Sequence, residues 1–224
     1  MLLVAAVVLG QTAFVHEPFE SYRRENVEGW RVYVSASAQK LPEVKPALEM
    51  LRKQLTEIKT IIPTRALGAI KATPFFIEAN NPGFPCACYH VSWDWLQENG
   101  YIRQKTRSVE IANPKNYVGW IKLNQPYMTL HELAHGYHNT AFSYEDKDIT
   151  AAYEAAVKSG KYESVKHNMG SMRRAYALTN PMEYFAESTE SYFGRNDYFP
   201  FDRNDLRAFD PAAYAMIEKA WGIK

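Results

Sequence analysis

The residues that most restrict what this chain can become are 126 to 140, and within them the run His131-Glu132-Leu133-Ala134-His135. Helical residues advance about 100° each, so histidines four apart lie about 40° apart on one face, one turn above the other. Two imidazoles so placed reach a single metal ion. Glu132 lies about 60° round the helix from His135, too far to be a third ligand and well placed to take a proton from a metal-bound water. Leu130, Ala134 and Tyr137 supply a core-facing stripe beside the histidines, and Pro126 suits a first helical turn. A buried helix carrying two polar rings needs a reason for them; the alternative to a metal is a pair of histidines hydrogen-bonded inside a core.

At 224 residues the chain is long enough for one substantial core and too short to require two independent domains, so residues 17–224 are expected to form one. Lys plus Arg number 26 against 25 Asp plus Glu, a net charge of +1 with no run of like charge, which argues against an electrostatically driven nucleic-acid binder. The apolar run Met1-Leu-Leu-Val-Ala-Ala-Val-Val-Leu-Gly10 is too short to span a bilayer and fits the core of a secretory signal. It has no basic residue before it and no clean Ala-x-Ala site after it, so the expectation is a signal over residues 1–16, cut somewhere between 10 and 16, and a secreted or periplasmic protein. The competing reading is a buried first strand. Cys86 and Cys88 are two apart, a spacing that strains a disulfide, and are expected to be free. Together with His90 they resemble metal ligands, but no second cysteine pair completes such a site.

Along the chain, residues 14–29 read as an extended polar lead-in and Trp30–Val34 as an alternating strand. Val44, Leu48, Leu51, Leu55, Ile58 and Ile62 recur at spacings of four and three, a helix that Pro63 stops. Pro74–Ala79 and Ser108–Ala112 read as strands, Ser92–Asn99 as a short helix, and Asn113-Pro114 as the opening of a loop or helical turn. Beyond the histidines the pattern is mainly helical, with helices around residues 149–157, from Pro181 and from Pro211. Strands early and helices late imply an α+β fold: a small mixed sheet in the N-terminal half, a mainly helical C-terminal half, and the histidine helix at the cleft between them.

A catalytic zinc takes three protein ligands and keeps one position open. His138 shares the helical face but lies about 10 Å along the axis from His131, so it is read as a cleft-rim residue or a support to the ligands. The better source is Tyr176-Ala-Leu-Thr-Asn-Pro-Met-Glu183-Tyr-Phe-Ala-Glu187. Asn180 caps a helix with Pro181 at its first position, and Glu183 and Glu187 fall on one face. One carboxylate can bind the metal while the other orients a ligand histidine. Asn180 with Glu183 also fits a capping box, a helix start without catalytic meaning.

His131-Glu132-x-x-His135 followed by Tyr176-x-x-Thr179-Asn180-x-x-Glu183-x-Phe185-Ala186-Glu187 resembles the catalytic domain of anthrax lethal factor and its relatives, a branch of the glutamate-liganded zincin metallopeptidases. The resemblance covers about residues 119 to 194. It departs at Pro181-Met182 and finds no counterpart in the N-terminal half. It implies a zincin-like fold, Zn²⁺ on His131, His135 and Glu183, Glu132 as general base, Tyr176 as a transition-state donor, and Glu187 beneath a ligand histidine. The implied activity is hydrolysis of a peptide or protein substrate, which is expected to lie along an exposed strand edge, with Val109 to Asn113 as the candidate. Two other readings stand beside it: a secreted zinc-containing binding protein without catalysis, and a zinc hydrolase of cell-wall amide bonds.

Overall fold

A computed structural model of the chain describes residues 16–223, so the expected signal segment lies, but for its last residue, outside the described residues. The fold is mixed α+β, with its sheet in the N-terminal half and its longer helices mostly beyond it. Five strands, β1 (Arg23–Val27), β2 (Trp30–Val34), β3 (Phe75–Ile77), β4 (Ala87–His90) and β5 (Ser108–Ile111), form one sheet in the order β1-β2-β3-β5-β4. The two outer pairings are antiparallel and the two inner ones parallel.

β5 therefore lies inside the sheet, between β3 and β4, and the expectation that Val109–Asn113 forms a free edge is wrong. The reason is legible in its burial: all four residues of β5 are buried, as a strand flanked on both sides requires. The edge on that side is β4. The lead-in at 14–29 also differs from expectation, because Arg23–Val27 is a strand that, among the described residues, pairs only with β2.

Register sets the two faces of the sheet. Val32, Val34, Phe75, Ile77, Val109 and Ile111 share one face, all of them buried. The helices α1 (Val44–Ile61), α4 (Pro114–Leu123) and α5 (Met128–Tyr137) pack together on this side. The α1 stripe of Leu51, Leu55 and Ile58 is fully buried, each side chain contributing about 1.5–3 kcal/mol. Asn113 caps α4 by accepting from the Asn116 N–H at 3.0 Å, with Pro114 at the first helical position. The other face carries Phe76, Glu110, Cys88 and His90, and residues 16–22 lie across it. Between α1 and β3 runs α2 (Thr64–Lys71), and between β4 and β5 runs α3 (Trp93–Glu98).

The second half adds α6 (Lys147–Ser159), a two-stranded hairpin of β6 (Val165–Lys166) and β7 (Met172–Arg173), then α7 (Pro181–Phe193), α8 (Arg203–Phe209) and α9 (Pro211–Trp221). α7 lies against α5, and Trp221 of α9 stacks on Tyr137 at 4.2 Å between ring centres. Every residue of α5 is buried. Among the described residues no helix is long and apolar enough to cross a membrane.

Candidate metal centre

Two helices bring the candidate ligands together. On α5 the rings of His131 and His135 turn the same way, their Nε2 atoms 3.1 Å apart. On α7 Glu183 stands in the first turn, and its Oε2 lies 3.0 Å from His131 Nε2 and 3.3 Å from His135 Nε2. The cap and the carboxylate do separate work. The Glu183 N–H donates to Asn180 Oδ1 at 2.9 Å, while the side chain leaves the helix for the histidines. A capping box would have turned that carboxylate back to the cap residue.

The three donor atoms form a triangle with edges of 3.0–3.3 Å. Bonds of about 2.0–2.1 Å in a tetrahedral zinc site put ligand atoms about 3.3–3.4 Å apart, so the triangle is of the right size. Its chemistry is right as well: two imidazole nitrogens and a carboxylate oxygen. Among the described residues a second group, His131 with Glu187 and Glu190, also brings its potential ligand atoms within 4.8 Å of one another. That group shares His131 and is wholly buried behind it.

His131 is held from behind. Its Nδ1 donates to Glu190 Oε1 at 2.7 Å, so that a metal ion displacing the Nε2 proton would meet a lone pair already aimed at the other ligands. Glu187, the residue expected in that position, stands farther off at 3.7 Å, and its Oε2 accepts from Asn196 Nδ2 at 3.0 Å. Glu190 was missed in the sequence although a signal was present. Glu183, Glu187 and Glu190 sit at spacings of four and three, an acidic stripe along one face of a largely buried helix.

Electrostatics follow the geometry. Burial opposes charge on His131, yet the hydrogen bonds to Glu183 and Glu190 outweigh it and hold its pKa well above the ordinary imidazole value. Burial also opposes charge on Glu183, but the two histidines hold its carboxyl well below the usual range. Glu132, buried on the same helix and lining the cleft, is pushed upward by burial despite both histidines. Burial raises Glu187 and Glu190 too. Tyr176 is 45% exposed, donates from its hydroxyl to Glu183 Oε1 at 3.3 Å, and is raised to about 12 by burial and then by Glu183.

The centre opens into a cleft of about 820 Å³ that also reaches Ala87, Cys88 and Tyr89 of β4, Met169 of the hairpin, and Asp197 and Tyr198 beyond α7. Gly136 allows this closeness, since a Cβ there would meet Thr73 Oγ1 at 2.8 Å and the Tyr89 ring at 3.2 Å. His138 does not reach the rim as expected. It is fully buried between Tyr144 and Phe185, because the chain leaves α5 through a π-helical turn over His138–Phe142 that keeps the ring in the core. Cys86 and Cys88 are free thiols, and neither belongs to a metal-sized group among the described residues.

No family model, curated protein or solved structure matches the chain. The site therefore stands on its own geometry, a buried histidine and glutamate centre able to hold a metal ion.

Proposed function

We propose that this protein is a zinc-dependent metallopeptidase of the glutamate-liganded zincin type, with His131, His135 and Glu183 as ligands and Glu132 as general base. The observation that carries the reading is the triangle of donors 3.0–3.3 Å on a side, set in a cleft that Glu132 also lines. A purely structural site has no use for a carboxylate placed there.

Zinc, held by His131, His135 and Glu183, would supply Lewis acidity toward a water and a scissile carbonyl. Glu132 takes the proton on its carboxylate and delivers it to the leaving amine, and its upward shift brings it toward the range where such a relay is efficient at neutral pH. The Tyr176 hydroxyl stays protonated and, exposed at the cleft mouth, turns from Glu183 to donate to the developing oxyanion. A substrate in extended form runs along β4. Cys86 and His90 accept at their carbonyls from the β5 side, so by alternation the peptide groups of Ala87 and Tyr89 face the unpaired side. Export of the chain is part of the same proposal and rests on residues 1–16.

The test is Glu132→Gln, measured for metal content and for cleavage of a peptide library. We expect zinc to be retained and turnover to fall by about a hundredfold or more. Cleavage at the wild-type rate would remove Glu132 from the chemistry. A wild-type protein that holds zinc and cuts no peptide would favour a binding protein, or, if it opens cell-wall muropeptides, an amide hydrolase of that class.

A further inference from the structure

We infer that the cleft contains a subsite for a basic side chain, with Asp197 as the anion that receives it. The inference deepens the peptidase reading and rests on it, since it takes the cleft as the place where a peptide lies.

Asp197 follows α7 and is 3% exposed, yet it forms part of the cleft wall. Among the described residues its Oδ1 finds no hydrogen-bond donor. Its Oδ2 faces His167 Nε2 at 3.5 Å, beyond the range of a good hydrogen bond. That ring is neutral: its Nδ1 accepts from the Met169 N–H at 3.2 Å, and burial lowers its pKa. A buried carboxylate oxygen left without a donor is destabilising, so its retention in a cleft points to a donor that arrives with a ligand.

The neighbours define that ligand. Gln125 Oε1 is a second buried acceptor without a partner in the same cleft, so the wall asks for N–H groups. Leu123 and Met169, 73% and 63% exposed, line the cleft with Tyr198 and offer apolar surface to a long aliphatic stem. A stem with a cationic tip, as in arginine or lysine, satisfies both. Arg173 shares this wall, but it is exposed and its Nε donates to Ser171 Oγ at 2.8 Å.

Binding to the zinc-loaded protein tests the inference without requiring turnover. Calorimetric titration with N-acetyl-arginine amide, N-acetyl-norleucine amide and N-acetyl-glutamate amide should show the arginine probe bound about tenfold or more tighter than norleucine, the scale of one hydrogen bond to a charged group. Asp197→Asn should erase that difference with metal content and melting temperature unchanged, and Glu132→Gln should keep it. Equal binding of arginine and norleucine by wild type, no saturable binding of arginine, or preference for glutamate, which would make Arg173 the recogniser, each overturns the subsite. If the arginine preference holds in a protein that cleaves no peptide, the subsite stands and the peptidase reading fails. Cleavage of peptides without a basic preference has the opposite meaning.

Discussion

Two groups of buried charges lie on either side of the sheet and balance themselves differently. On the far face Lys105, with no exposed surface, donates to Glu78 at 2.6 Å and Glu110 at 2.9 Å. His90 adds a contact of 2.8 Å to Glu110, and the Tyr22 hydroxyl donates to Glu78 at 2.6 Å. Burial would raise Glu110, but His90 and Lys105 bring it down to about 2. On the near face, among the described residues, Glu183, Glu187, Glu190 and Asp197 find only histidines as ion-pair partners. Both groups are buried, so burial alone does not mark a site. The near group differs in that, among the described residues, no lysine or arginine stands within ion-pair distance of its carboxylates, and a divalent ion would supply that charge.

The comparison breaks most sharply at Lys105. Lys105→Met strands two carboxylates, and we expect a loss of about 3–5 kcal/mol in denaturant unfolding, with metal content per folded molecule unchanged. A variant that unfolded normally and lost its metal would mean that the two groups are not separate. On the near side, Glu190→Gln should weaken metal affinity by about 10–100-fold in a chelator competition, because Glu190 fixes the proton on His131 Nδ1. Glu187→Gln should do less, its nearer oxygen being 3.7 Å from that nitrogen. The reverse order would hand the supporting role to Glu187.

His138 offers the smallest test, a buried ring on which only Asp146 acts as an opposing charge and too weakly to offset burial. Among the described residues its ring nitrogens find no hydrogen-bond partner, and burial lowers its pKa from 6.5 to about 4. The unfolded chain takes up a proton near 6.5 that the folded one refuses, so stability falls as pH drops below that value and levels off near 4. By pH 5 the loss is about 1–2 kcal/mol. Melting curves at pH 7 and pH 5 should show a smaller difference in His138→Phe than in wild type; an equal difference would assign the acid sensitivity elsewhere.

What could be seen in the sequence follows from how each element meets water. α1 repeats apolar residues at helical spacing because it packs on one side, α5 is enclosed all round and is marked instead by its polar rings, and Asn180-Pro181 announces α7 through local cap chemistry. β1 has the pattern Arg-Arg-Glu-Asn-Val because it is an edge strand with little to bury, so alternation was never written there. β4 drew attention through the Cys88 thiol and the His90 imidazole, which hid a strand of four residues. The spacing of His131 and His135 puts them on one face, and Glu183, singled out by the resemblance rather than by spacing, lies beside them, whereas the cleft wall at His167 and Asp197 comes from loops, whose positions no periodicity records.

The brevity of β4 has one more result. A strand with an unpaired side invites copies of the same molecule to zip onto it, and a long flat one would do so. Here the run ends at His90 after four residues, and Pro85, just ahead of it, has no N–H to offer. The opening can thus stay ready for an extended guest while remaining a poor template for self-stacking, which should help the protein stay dispersed when concentrated.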